Sequence, residues 1–285
     1  MNFDESPSPK EVSAPEPLPE PGLPPQTPIL REGKEERVPF GVFDLVLFVL
    51  IAAGGMILIG VLLVIVFGAF GVKLATIQHS SRDQNLISVI GQVIVDVGLL
   101  AYLAAQMRFR FGLPPWRTLG WRKLDTNRIP LGWACAGLLA SGAIISLLVD
   151  AASALHPPGK PLPIETIYQD RLSSLLFMLM AVLLAPIVEE TVFRGYIYPV
   201  LAQNWGVGSG IVITGALFGM LHGFQLGGAR WQILLLVIVG VIFTWVRART
   251  RTVVASYLMH LGYNSFLFVQ FLVLTHFLTR LPDVR

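Results

Sequence analysis

The chain has 285 residues, of which 54% are hydrophobic and only 14% are charged, and its formal net charge is +3. Soluble domains carry about 25% charged residues, so this composition excludes an ordinary water-soluble globule and indicates a protein embedded in lipid. The single cysteine, Cys135, excludes an intramolecular disulfide. No interleaved basic and aromatic stripe is present that would predict nucleic-acid binding.

The first segment in chain order, residues 1–39, is rich in proline and in acidic residues. It has almost no large apolar side chains, so it cannot bury enough surface to fold by itself. It also lacks the basic region followed by an apolar region that marks a secretory signal peptide. We predict a disordered, proline-rich cytoplasmic tail.

Apolar runs long enough to cross a hydrocarbon core of about 30 Å follow this tail. Because helices satisfy their own backbone hydrogen bonds in lipid, we predict an all-α, polytopic transmembrane helical bundle. It has seven or eight spans, depending on how residues 172–204 are divided. Residues 40–170 hold the N-terminal transmembrane helices and residues 171–285 the region that carries chemistry. The predicted spans are 40–70, 86–107, 130–155, 172–204, 207–222, 231–246 and 253–277.

Basic residues are concentrated in two of the predicted loops. Residues 108–128 carry six Arg and Lys against one acid, Asp125, and a second cluster covers residues 247–251. The positive-inside rule places both loops, and with them the N-terminus, in the cytoplasm. We therefore predict a multi-pass protein of a bacterial-type plasma membrane. His260 would lie about 10–15 Å below the 247–251 cluster, which predicts a site of moderate depth that opens at that end.

Two adjacent carboxylates, Glu189 and Glu190, follow a long apolar run. Ionisable groups inside a membrane segment are costly and usually functional, although a helix-end position would also explain them. Arg194 lies four residues after Glu190 and can pair with it, whereas Glu189 is rotated about 100° away. Pro186 and Pro199 flank this segment and can kink its helix.

Three further polar residues lie in the apolar C-terminal region. His222 ends a helix whose glycines recur every four residues, a spacing that lets a neighbouring helix approach closely. His260 and Asn264 share one helical face, and both can donate hydrogen bonds to a developing oxyanion. Each has an alternative structural interpretation: a hydrogen-bonded histidine at a helix end, or a polar pair that joins two helices.

Together these residues indicate a hydrolytic site, in which a glutamate assisted by a histidine takes a proton from water. No cofactor is required for that chemistry. Zinc stays open as an alternative because histidines and carboxylates bind it, but the short HExxH signature is absent from the sequence.

The same residues resemble the motifs of the CPBP family, which contains CAAX proteases and bacteriocin-processing enzymes and is also called the Abi family. Residues 189–195 match its EExxxR motif, residues 218–222 its FxxxH motif, and residues 260–264 its HxxxN motif. The three motifs occur in the family's order, on hydrophobic helices, and cover about residues 172–270. A single such motif is weakly specific, but the ordered set in a polytopic protein is specific.

The resemblance implies an intramembrane endopeptidase similar to the type II CAAX prenyl endopeptidase. It implies that Glu189 and His222 activate water and that His260 and Asn264 form the oxyanion site. Glu190, Arg194 and Phe218 would be supporting residues. The implied partners are the lipid bilayer and a peptide or protein substrate at the membrane, prenylated proteins included. The family is often labelled metalloprotease, yet the glutamate mechanism needs no metal.

Two other functions stay open from the residues alone. A proton-coupled transporter would also place carboxylates and histidines inside the membrane, although no inverted hydropathy repeat is evident. A non-catalytic scaffold of the same family would keep the helices without the chemistry.

Overall fold

A computed structural model of the protein describes residues 37–69, 81–126 and 129–281. Within these ranges the chain is all-α, and none of the described residues forms a β-strand, as predicted. The tail predicted for residues 1–39 lies outside the described residues, apart from its last three.

Eight helices, α1 to α8 in chain order, have the following bounds: Val42–Ala69 (α1), Ser81–Ala105 (α2), Pro115–Thr118 (α3), Leu131–Leu155 (α4), Arg171–Trp205 (α5), Val207–Leu221 (α6), Arg230–Thr250 (α7) and Val253–Leu274 (α8). Helix α2 continues into a π-helical turn, Gln106–Arg110, and α5 contains two π-helical segments. A 3-10 helix, Pro163–Gln169, precedes α5.

Six of these helices are long and apolar enough to cross a membrane: α1, α2, α4, α5, α7 and α8. Helix α6 is also apolar but has only 15 residues, which extend about 22 Å against a hydrocarbon core of about 30 Å. Many large apolar side chains on the bundle surface are exposed, as lipid-facing positions are. The predicted fold class is confirmed, with six full-length apolar helices and one shorter one.

Small residues set the distance between two pairs of helices. A Cβ at Gly215 or Gly219 of α6 would lie only 2.5 Å from the backbone nitrogens of Val241 and Val237 in α7. Helices α4 and α8 likewise meet at Gly142, where a Cβ would collide with the carbonyl of Met259. The close approach predicted from the four-residue glycine spacing is therefore present between α6 and α7.

Helix α5 is irregular on both sides of the glutamates. Its parts are Arg171–Leu179, the π-helical Met180–Leu184, the α-helical Ala185–Glu189, the π-helical Glu190–Ile197, and Tyr198–Trp205. Pro186 is the second residue after the first π-helical segment, and Pro199 is the second residue after the other one. Proline has no N–H, so each leaves a carbonyl of the preceding turn without its backbone donor. Such π-helical turns are common at functional sites.

The loop after α3 packs tightly beneath α5 and α8. The N–H of Val253 donates to the carbonyl of Gly120 (2.9 Å), and the Thr252 hydroxyl donates to the carbonyl of Arg122 (2.6 Å). Gly195 leaves no room for a Cβ because the carbonyl of Leu119 would lie 2.5 Å from it. This end of the bundle, where α2 and α7 end and α8 begins, is called the basic end below.

Candidate active site

The four residues predicted to be catalytic line one cavity of about 510 Å³. They come from three helices: α5 supplies Glu189, the end of α6 supplies His222, and α8 supplies His260 and Asn264. The sequence separates these helices, so the packing of α5, α6 and α8 brings the residues together.

One side of the site is a fully buried ion-pair network. Arg194 Nη1 lies 2.9 Å from Glu190 Oε1, and both side chains have no exposed surface. The same carboxylate oxygen lies 3.0 Å from His260 Nδ1. The pair predicted from the i, i+4 spacing is present, and Glu190 also holds a catalytic candidate in place. A buried carboxylate needs such partners to stay charged.

The guanidinium of Arg194 is fully enclosed by hydrogen bonds and rings. Nη2 donates to the carbonyl of Gly240 (3.0 Å), and Nε donates to the hydroxyl of Thr244 (3.2 Å). The ring of Phe218 lies 4.5 Å from the guanidinium carbon and also packs against His222, with ring centroids 4.8 Å apart. Phe218 therefore separates the cation from the cavity and positions His222, which agrees with a supporting role.

Glu189 differs from its neighbour in its exposure and in its charged partners. Its side chain is 27% exposed and lines the cavity. Its Oε2 atom is buried and forms no hydrogen bond with the described residues; the nearest charged group is His260 Nε2 at 3.7 Å. Because more than a quarter of the side chain is exposed and it lines the cavity, Glu189 can contact a water molecule or a substrate there.

His222 follows the last residue of α6 and has a fixed tautomer. Its Nδ1 lies 2.8 Å from the carbonyl of Phe218. A carbonyl only accepts, so Nδ1 carries the hydrogen and donates it, and Nε2 of the neutral ring keeps a lone pair. The predicted structural role, a hydrogen bond at a helix end, is therefore real and compatible with a catalytic one.

Asn264 is held by the irregular part of α5. Its Nδ2 donates to the carbonyl of Ala181, 2.7 Å away. That carbonyl lies in the π-helical segment Met180–Leu184, where its backbone donor would be the nitrogen five residues on, at Pro186. Because proline has no N–H, the carbonyl is left for Asn264. One N–H of the amide remains available to a ligand.

The rest of the cavity wall extends away from the basic end. Its outer part, called the mouth here, consists of residues that precede α5 or follow α6: Leu162, Ile164, Glu165, Tyr168, Gln225 and Leu226. Burial, with a contribution from Glu165, raises the pKa of the Tyr168 hydroxyl to about 12, so this group stays protonated at neutral pH. The prediction that the site opens beside residues 247–251 is wrong, because depth alone does not reveal which end is sealed.

Two aspartates, Asp96 and Asp150, are among the polar residues that line the cavity without having been predicted as site residues. Asp96 on α2 accepts a hydrogen bond from Gln92, one turn earlier on the same helix (2.7 Å). Asp150 on α4 accepts one from Gln270 (2.8 Å). An aspartate within an apolar run was the only available sequence signal, and it does not specify which helix the side chain faces.

The donor set does not fit a zinc site. Among the described residues no group of three or more His, Cys, Asp or Glu side chains is arranged to hold a metal ion. Glu190 Oε1 already contacts Arg194 and His260 Nδ1, and a guanidinium so near disfavours a divalent cation. The chemistry below is therefore derived from the side chains alone.

Comparison with known proteins identifies the region that carries this site. Residues 171–266 match the family described as Rce1-like, type II CAAX prenyl endopeptidase Rce1-like. No curated protein and no solved structure matches the chain. The matched residues include Glu189, His222, His260 and Asn264. Residues 171–266 of this multi-pass membrane protein are therefore similar to the CAAX protease family, which supports the resemblance that the three motifs indicate.

Proposed function

We propose that the protein is an intramembrane endopeptidase that hydrolyses a peptide bond with water activated by Glu189. The observation that carries this proposal is the contrast between two adjacent glutamates. Glu190 is enclosed and paired with Arg194 and His260, whereas Glu189 is 27% exposed and lines the cavity. Structural ion pairs explain Glu190, but they do not explain Glu189.

In the proposed first step, Glu189 takes a proton from a water molecule in the cavity while His222 Nε2 accepts a hydrogen bond from the same water. The water oxygen forms a bond to the peptide carbonyl carbon, and the carbonyl oxygen becomes an oxyanion. The protonated Glu189 then passes its proton to the leaving nitrogen as the C–N bond breaks. The two products are a carboxylic acid and an amine.

The remaining N–H of Asn264 and His260 Nε2 are proposed to hold the oxyanion. His260 Nδ1 contacts Glu190 Oε1, and we propose that Nδ1 donates this bond. Nε2 then carries a hydrogen only in the imidazolium form. Glu189 and Glu190 lie 3.7 Å and 3.0 Å from the two ring nitrogens. His260 thus links the buried network to the proposed oxyanion position.

The proposed substrate is a peptide or protein segment at the membrane, with CAAX-type prenylated proteins as the first class to test because the matched family is described by that activity. The exposed apolar side chains of the bundle support a position in the lipid bilayer. We further propose a plasma membrane location with the basic end and the N-terminus in the cytoplasm, on the positive-inside rule.

The test uses the full-length protein in liposomes with an internally quenched, farnesylated CAAX peptide. Glu189→Gln should reduce turnover by about 10²–10⁴-fold, the range for loss of a general base, with no change in insertion or melting temperature. Glu165→Gln at the cavity mouth is the matched control and should retain turnover within about twofold. Wild-type turnover in Glu189→Gln would refute the assignment of Glu189 as the base.

A further inference from the structure

The lining of the cavity is acidic. It includes four carboxylates, whereas none of the lysine and arginine residues that the structure describes belongs to it. The four are Asp96, Asp150, Glu165 and Glu189. A cleft lined by charges of one sign raises the local concentration of ions of the opposite sign. A cationic group of a substrate is therefore attracted to this cavity, although the proposed chemistry at Glu189 does not require one.

Helix α4 contributes a polar face to the cavity wall. Ser146, Asp150 and Ser153 line the cavity, and their spacing of four and three residues places them on one side of the helix. The Ser153 hydroxyl already accepts a hydrogen bond from the side-chain amide of Gln232 (3.2 Å). No step of the proposed hydrolysis uses these residues, so the polar face calls for another explanation.

Asp150 is held towards α8 but has no cationic partner. Its carboxylate accepts a hydrogen bond from the side-chain amide of Gln270 (2.8 Å). No lysine, arginine or histidine of the described part of the chain forms an ion pair with it. The residue is exposed and lines the cavity. Because a carboxylate has about four acceptor sites, most of its capacity is available to a donor on a ligand.

A second, independent feature lies one helical turn away. Ser146 lines the cavity and has no exposed surface, and its hydroxyl has no hydrogen-bond partner among the described residues. Buried polar groups without a partner are uncommon and cost free energy, which a bound ligand would offset. Residues four apart on a helix have Cβ atoms about 5–6 Å apart. A single ammonium or guanidinium group, which has several donors, can therefore reach Ser146 and Asp150 together.

The distance between Asp150 and the catalytic residues follows from α8. Gln270, which holds Asp150, lies six residues after Asn264, or about 9 Å along the helix. An extended peptide advances about 3.3 Å per residue, so this distance corresponds to about three residues of substrate. Leu267 lies between these two levels of α8 and also lines the cavity, so the polar face of α4 is continuous with the catalytic region.

We infer that Asp150 and Ser146 form a subsite for a lysine or arginine side chain of the substrate, about three residues from the scissile bond. This inference rests on the proposed function and specifies its substrate: a peptide at the membrane with a basic residue close to the cleavage position. Asp150 supplies the negative charge and Ser146 a second acceptor. Val149, which lines the cavity between them, packs against the aliphatic part of the basic side chain.

Peptide binding tests the inference without catalysis. The Glu189→Gln protein is placed in nanodiscs of neutral phosphatidylcholine, and the Kd of fluorescent, farnesylated CAAX peptides is measured by anisotropy. The peptides carry Lys, Gln or Glu at the third residue before or the third residue after the scissile bond. In one of these two positions the Lys peptide should bind about tenfold more tightly than the Gln peptide, and the Glu peptide should bind more weakly than both.

Variants in the same Glu189→Gln background locate the effect. Asp150→Asn keeps an acceptor for Gln270 but removes the charge, so the ratio of the Kd values for the Gln and Lys peptides should fall to within about twofold of unity. Ser146→Ala should lower this ratio by about threefold. Glu165→Gln is the matched control, because it removes one charge from the same cavity and should leave the ratio unchanged. Melting temperatures confirm that each variant is folded.

Three results would overturn the inference. The first is equal binding of the Lys and Gln peptides in both positions. The second is a preference for Lys that persists in Asp150→Asn. The third is an equal loss of preference in Glu165→Gln and Asp150→Asn, which would assign the effect to the overall charge of the cavity. None of them affects the role of Glu189, which the turnover assay tests separately.

Discussion

The two sides of helix α5 at the glutamate pair differ in burial and in charge pairing. On the Glu190 side every charge has a partner, no side-chain surface is exposed, and three aromatic rings surround the guanidinium of Arg194. On the Glu189 side the side chain is 27% exposed and lines a cavity. One residue of rotation thus separates a group that stabilises the bundle from a group free to react.

The largest effect in this comparison should come from breaking the buried pair. Arg194→Met leaves Glu190 as an uncompensated buried charge, and such losses cost about 3–5 kcal/mol of unfolding free energy. Thermal unfolding in detergent measures the change.

The double variant Glu190→Gln, Arg194→Met is the control, because it removes both charges. It should unfold at a higher temperature than Arg194→Met alone. Equal stabilities of the single variant and the wild type would show that the pair is not needed to hold α5.

A second, smaller loss of stability should follow from separating α6 and α7. Gly219→Ala introduces a Cβ 2.5 Å from the backbone nitrogen of Val237, so the helices must move apart, at a cost of about 1–3 kcal/mol. Gly208→Ala in the same helix is the matched control because a Cβ there meets nothing within 4 Å. Chemical denaturation in detergent should separate the two variants, and identical midpoints would contradict close packing at Gly219.

The cavity side can be perturbed without touching a charge. Pro186→Ala restores an N–H that competes with Asn264 for the carbonyl of Ala181, so Asn264 loses its fixed orientation. We expect kcat to fall by about tenfold, or about 1.4 kcal/mol, with little change in KM.

A double-mutant cycle isolates this effect from a general change in α5. In an Asn264→Ala background, Pro186→Ala should have no further effect on kcat, because the competing amide is gone. Pro199→Ala is the control, since its turn of α5 contributes no residue to the cavity lining. Additive losses from Pro186→Ala and Asn264→Ala would mean that proline acts by another route.

The smallest effect should come from a chelator. Turnover of the liposome-embedded protein after dialysis against EDTA should stay within about twofold of the untreated sample, because the described donor set does not form a zinc site. A loss that added zinc restores would require a different assignment of Glu189 and His222.

Much of the fold could be predicted from sequence because lipid imposes one rule on every span. An apolar run of sufficient length must be a helix, and the i, i+4 spacing of Glu190 and Arg194 already specifies a shared face. The hydrogen bond from Asn264 to Ala181 could not be predicted in the same way. It depends on a π-helical turn and on the packing of α5 against α8, neither of which has a local sequence signal.

The direction of the cavity was also beyond sequence reasoning. The depth of His260 follows from counting residues, but the side that is sealed depends on the loop at Leu119 and Gly120, which folds beneath α5. Gly120 adopts a positive φ of 84° there, a backbone conformation that suits glycine. Nothing in the loop's basic composition indicates that it closes the bundle.

The shortness of α6 has a consequence for the surrounding lipid. Its 15 residues end several ångströms before the far side of an average hydrocarbon core, and Phe224, just beyond it, is 91% exposed. A bilayer beside this flank must thin, or the loop must remain below the headgroups, and either adjustment costs free energy that rises with hydrophobic mismatch. We therefore expect the geometry at His222, and with it turnover, to depend on acyl-chain length in reconstituted membranes.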